Sequence, residues 1–141
     1  MNNGQWIIVE RPLFINNYSL FIVKNVVKEK SFAFAIRIVN LCKYLRKQKK
    51  EYVISKQVLR SGTAIGALIR EAEYAESKAD FIHKLAISLK EANETEYWID
   101  LLHQTDYLDD KKHQSIAHDL TELLKLLTAI IKSSKQWTID N

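Results

Sequence analysis

Two Asp-x-x-His pairs, Asp80 with His83 and Asp100 with His103, have the spacing by which a helix offers a carboxylate and an imidazole to one metal ion. A di-iron bundle draws such a pair from each of two helices, with further carboxylates at the same level. Here both pairs fall on one helical segment, twenty residues and roughly 30 Å apart, so a single ion cannot use both. His113 and His118 have no sequence-adjacent carboxylate pair facing them and read as solvated or capping histidines. Glu91, Glu94 and Glu96 crowd the stretch "KEANETE", but no nucleophile, oxyanion donor or glycine-rich phosphate loop accompanies them. Charge pairing between helices is the simpler use for them. Cys42 is the one cysteine, lies among apolar residues with no histidine nearby in sequence, and fits a reducing compartment better than a catalytic role. No enzyme activity, metal or cofactor is expected.

The basic run is the strongest surface feature. Lys43, Arg46, Lys47, Lys49 and Lys50, with Tyr44 and Tyr52 interleaved, resemble a phosphate-binding patch with stacking residues. A solvated helix end accounts for the same residues equally well. Charge is segregated along the chain. From Lys24 to Arg60, eleven Lys or Arg face only Glu29 and Glu51, a net +9. From Glu71 to Asp110, eleven Asp or Glu face three lysines, a net −8. Such separation points to pairing between helices or to opposed faces of an assembly.

The elements that must position these residues are helices. Pro12 is the only proline, and residues 1–24, rich in β-branched and aromatic side chains, read as an extended or poorly ordered arm. Residues 25–136 carry four helical patterns. The first, 25–49, repeats Phe34, Ile38, Leu41 and Leu45; the second, 53–76, repeats Ile54, Val58, Ile65, Ile69 and Ala72. Ser77 with Asp80 is a capping-box variant that opens the third, 78–107. Asp109 or Asp110 caps the fourth, which runs to about Ser134 with Ile116, Leu120, Leu123, Leu127 and Ile130 on one stripe, and 137–141 form a tail. Short connections make neighbours antiparallel, so the fold class is all-α, an up-down-up-down four-helix bundle. Gly62 and Gly66 lie mid-helix, where each costs about 1 kcal/mol against alanine. A turn near Ser77 sets Gly66 opposite Ser88 and Gly62 opposite Ala92, a register of close helix packing, and sets Arg60 opposite Glu94. Arg60, Glu71, Glu91, Glu94 and Glu96 are the expected structural charge pairs.

The stretches "KSFAFAIRIVNLCKYL" and "SKQVLRSGTAIGALIREAEYAESKADFIHKLAISLKEANETEYWIDLL", followed by a leucine-rich last helix, resemble a bacterial four-helix bundle family. That family includes the 23S rRNA intervening-sequence proteins, with the accessory variability proteins of diversity-generating retroelements as relatives. The resemblance spans about Lys30 to Lys135. It implies a bundle assembled as a ring, a homopentamer by preference, with RNA association or a reverse-transcriptase partner and no catalysis. Arg60, Ser61, Gly66, Glu71, Glu91 and Glu96 match the family's polar and small signature positions, whereas Ala64 and Leu68 stand where Ser and Asn are common. The rival reading is an oligomeric scaffold for a protein partner without nucleic-acid binding. Membrane association is not expected, since no apolar stretch approaches the roughly 20 residues of a span. Glu10 and Arg11 interrupt the N-terminal apolar run, and the expected location is the cytoplasm.

Overall fold

The computed structural model describes residues 17–140, with side chains from Leu20 to Gln136. Four helices follow one another: α1 (Asn17–Lys47), α2 (Ile54–Glu73), α3 (Lys78–Gln104) and α4 (Asp110–Asp140). Consecutive helices pack together, and α1 also packs on α4, so α1 and α3 occupy diagonal corners of the bundle. The ends of α1 and α3 and the starts of α2 and α4 therefore share one end of the molecule. Phe34, Ile38, Leu45, Ile65, Leu85, Ile99, Leu120 and Leu127 fill the interior and are essentially inaccessible. Among the described residues no helix is long and apolar enough to cross a membrane.

The first helix starts earlier than the sequence pattern implies. Residues 17–24, read as part of an arm, are helical, because Leu20, Val23 and Val27 continue the core stripe one turn at a time and Val23 and Val27 are buried. Residues 1–16 of that arm lie outside the described residues. The tail likewise gives way to helix, since α4 continues to Asp140. Local signals set the remaining boundaries. Ser77 Oγ accepts from the Asp80 amide at 3.0 Å while Asp80 Oδ2 accepts from the Glu76 amide at 3.2 Å, a reciprocal cap. Asp109 is the fourth cap, with Oδ1 accepting from the Lys112 amide at 2.8 Å.

The start of α2 has a cap of a different kind. Glu51 is only 7% exposed, and its carboxylate accepts from the amides of Ser55, Ile54 and Val53 at 2.7, 2.9 and 3.0 Å. Burial alone would raise this carboxyl, but the amides of Ile54, Ser55 and Val53 and the Ser55 hydroxyl outweigh it and hold it below its ordinary value.

The glycines face a different helix from the one the turn register implies. A Cβ on Gly62 would lie 2.8 Å from Ile38 Cγ1, and one on Gly66 would lie 3.3 Å from both the Ser31 carbonyl oxygen and its Oγ. The atoms nearest to either added Cβ belong to α1, so the missing side chains of Gly62 and Gly66 make room for that helix. The level of Gly66 against Ser88 agrees with the turn register, because Ser88 Oγ donates to the adjacent Ile65 carbonyl at 2.9 Å. Turn-counting leaves rotation open: helices so spaced can still present different faces to two neighbours. Ala92 and Ser88 are fully buried, and their small size allows the α2–α3 approach. Ser61 and Thr95, also buried, bridge the same interface with hydroxyls 2.9 Å apart.

Candidate nucleic-acid interface

Lys43, Arg46 and Lys47 are exposed on the last turns of α1, where cations complement the helix dipole. Lys49 and Lys50 follow in the turn, also exposed, with Lys50 at φ 55° closing the helix. The Arg46 guanidinium lies 5.7 Å above the centre of the Tyr52 ring. Tyr44 is half-buried, and its partner is a residue remote in sequence: Lys112 Nζ stands 5.2 Å above the ring. The fold thus adds cations that sequence order keeps apart. Lys111 and Lys112 enter from the first turn of α4, and Lys56 from the first turn of α2.

These additions matter because of where they sit. The first turn of a helix carries partial positive charge and disfavours cations by about 0.3–1 kcal/mol each. Lys111 and Lys112 occupy that position beside the end of α1, with Asp109 Oδ2 compensating Lys112 at 3.4 Å. Between α1 and α4 a groove of about 510 Å³ runs alongside, lined by Arg37, Asn40, Tyr44, Lys111 and Lys112 among others. Arg37 is fixed by Asp119 Oδ2 at 2.6 Å and by Ser115 Oγ at 2.8 Å. The site therefore combines exposed lysines, of which Lys112 also meets Asp109 Oδ2 at 3.4 Å, one anchored arginine and an aromatic face, the groups that meet phosphates and bases. Sequence reasoning missed Lys111 and Lys112; "DDKKH", with cations immediately after a cap, was the available signal.

The predicted charge pairs are largely formed, away from this end. Arg60 contacts Glu94 closely and Glu91 at 3.3 Å, and Lys84 meets Glu71 at 3.1 Å. The Trp98 indole N–H, donating at 3.0 Å, and the Arg60 guanidinium hold the Glu94 carboxyl below its usual range. Arg60 is about half exposed, so the pair contributes little to stability. Glu96 departs from the expectation: it is exposed and forms no ion pair among the described residues, because it projects to solvent on the side of α3 away from Arg60.

The histidines are better partnered than their sequence context implies. The His103 and His113 rings stack with centroids 4.0 Å apart and 9° between planes. Each meets a carboxylate of the other helix, His103 with Asp110 at 2.7 Å and His113 with Asp100 at 2.9 Å, which ties α3 to α4. His118, Asp119 and Glu122 could approach one ion. Their carboxylates, however, are committed to Arg37 and to Lys30 at 3.2 Å. The Cys42 thiol is 5% exposed and donates to the Ser55 carbonyl at 3.3 Å. Burial pushes its pKa up to about 11, against an opposing influence from Arg46, so it is a thiol at neutral pH.

A model of the 23S rRNA-intervening sequence protein family matches residues 23–129. A crystal structure of a protein with unknown function from the S23 ribosomal protein family of Bacteroides thetaiotaomicron is similar over 78% of this chain and 98% of its own, with 62% identity and a TM-score of 0.77. No curated protein matches the chain.

Proposed function

Because the chain belongs to the 23S rRNA-intervening sequence protein family, we propose that it is a non-enzymatic, homo-oligomeric bundle that associates with RNA through its basic end. The observation that carries this reading is that the end of α1, with Lys43, Arg46, Lys47, Lys49 and Lys50, and the start of α4, with Lys111 and Lys112, share one end of the bundle, Lys112 standing over Tyr44 and Arg46 over Tyr52. Lysines meeting phosphates read charge and not base edges, so little sequence preference is expected. A single copy offers few phosphate contacts; several copies held together multiply them through effective concentration. The family name and the S23 ribosomal relative point to ribosomal RNA as the class of target. The same end of the bundle would serve a nucleic-acid-processing partner in the cytoplasm. The inert Cys42 and the committed carboxylates support a binding role without catalysis.

The test is RNA titration at two salt concentrations with the wild type and with Arg46→Glu, Lys47→Glu and Lys50→Glu combined, after helicity and mass are matched. About three contacts to single-stranded RNA give a loss on the order of twentyfold in affinity for each fourfold rise in salt. The triple variant should lose most binding at low salt. Equal binding by wild type and variant would leave the protein-scaffold reading as the better one.

A further inference from the structure

Asp110 and His113 repeat, in the first turn of α4, the Asp-x-x-His step that Asp100 and His103 make near the end of α3. Three residues apart on a helix, a carboxylate and an imidazole share one face. The turn 105–109 sets the two faces against each other. It is held by the Tyr107 and Leu108 amides, which donate to the Leu102 carbonyl at 2.9 and 3.2 Å, and by the buried side chain of Leu108. Each histidine therefore meets the aspartate of the opposite helix. His103 Nε2 lies 2.7 Å from Asp110 Oδ1, His113 Nε2 lies 2.9 Å from Asp100 Oδ1, and the two rings stack 4.0 Å apart.

This cluster differs from an ordinary surface ion pair. The His103 and His113 side chains are only 23% and 19% exposed. Neither aspartate pairs with a lysine or arginine among the described residues, and the neighbouring Lys112 is turned to Asp109 and the Tyr44 ring. Four groups that can each ligate a metal thus have one another as partners. His118, Asp119 and Glu122 differ in this respect, since Arg37 and Lys30 hold their carboxylates.

We propose that Asp100, His103, Asp110 and His113 form a site for one divalent ion of the zinc class, which clasps the end of α3 to the start of α4. Two imidazoles and two carboxylates are donors that zinc takes in a tetrahedron, at about 2.0–2.2 Å. Neighbouring donors on such an ion stand about 3.4 Å apart, so each histidine–aspartate pair opens by about half an ångström. Parallel rings aim their nitrogens side by side, so one imidazole turns about its Cβ–Cγ bond, a soft rotation, to meet the same ion. A carboxylate only accepts, so each Nε2 carries the proton before the ion enters. That proton passes to solvent while Nδ1 takes one up, the rings stay neutral, and the two charges of the ion balance the two carboxylates. The negative end of α3 favours the ion and offsets the positive end of α4. Such a site is independent of RNA association.

The experiment is equilibrium dialysis of the untagged full chain against zinc, with melting curves alongside. The wild type should bind one zinc per chain. Free zinc at about a hundred times the dissociation constant should raise the melting temperature by roughly 5–10 °C. His103→Ala and His113→Ala each remove a ligand and should weaken zinc binding by at least about tenfold. Both also remove the ring stack, so their melts without zinc are checked first. Asp100→Asn with Asp110→Asn keeps the shape of both contacts; it should lose zinc affinity to the same degree with little change in the zinc-free melt. His118→Ala should bind zinc as the wild type does. Loss of the ion in His118→Ala with retention in the other variants would overturn the proposal in favour of the α4 cluster. A wild type that takes up no zinc at millimolar concentration, or a double Asn variant that binds as tightly as the wild type, would overturn it outright.

Discussion

Gly62→Leu should be among the most damaging single substitutions in this chain, costing more than about 3 kcal/mol and abolishing a cooperative melt at ordinary temperatures. The reason is Ile38. It is fully buried, and a Cβ on Gly62 would sit 2.8, 3.0 and 3.3 Å from its Cγ1, Cγ2 and Cδ1. Even Gly62→Ala forces the isoleucine to move inside a packed interior, which outweighs the roughly 1 kcal/mol gained in helix propensity. Gly66→Ala is the contrast. Its Cβ would meet the Ser31 oxygens at 3.3 Å, a contact that small adjustments absorb, so propensity and crowding nearly cancel. Denaturant melts of the two alanine variants check this, with Gly62→Ala clearly the less stable. Ile38→Ala, which removes all three crowded atoms, should cost less in the Gly62→Ala background than alone. A Gly62→Ala protein as stable as the wild type would put the close approach elsewhere.

Glu51→Ala should cost about 2–4 kcal/mol, lowering the melting temperature by roughly 10 °C. The substitution strips a buried carboxylate from three amides at the start of α2 and leaves them without partners. Glu51→Gln separates charge from shape, and its pH dependence has a definite sign. The folded-state carboxyl is held below its ordinary value of 4.5, so its contribution is complete above that pH and disappears as pH falls through the lower folded value. The gap in melting temperature between wild type and Glu51→Gln should therefore be widest near neutrality and close in acid. A gap that is constant from pH 7 to pH 3 would mean the cap acts through geometry alone.

Both results turn on contacts that the sequence shows only in part. The stripes of α2, α3 and α4 were legible because period and caps agree: Ser77 with Asp80 and Asp109 are found where they were read. The turn between α2 and α3 is short enough that counting outward from it brings Arg60 to Glu94. The same counting sets the level of Gly62 and Gly66 along α3 but not the helix their missing side chains make room for, because it ranks neighbours along one helix pair and says nothing of α1. Residues 17–24 misled for another reason, since Tyr18, Phe21, Ile22 and Val23 have strand-like composition, and burial of Val23 in the bundle goes with the helix observed there. Glu51 was counted as a charge and missed as a cap, because it stands three residues before the helix and reaches its amides through a turn. The candidate interface was half legible: the end of α1 is a run in sequence, whereas its meeting with Lys111 and Lys112 exists only after folding.

That meeting is the most direct place to test RNA association. Lys111→Glu with Lys112→Glu puts anions in the first turn of α4, where the helix dipole favours them and offsets the loss of the exposed Lys112–Asp109 pair, so the fold should be held, as a melting curve checks. Binding of a structured RNA, titrated from low to physiological salt, should nevertheless weaken by about tenfold or more at low salt. The slope of log affinity against log salt should flatten by roughly 1.4 if both lysines meet phosphates of an unpaired strand. If the wild type binds RNA and this variant binds it with unchanged affinity and slope, the interface does not include the start of α4, and the account of this end of the bundle is wrong.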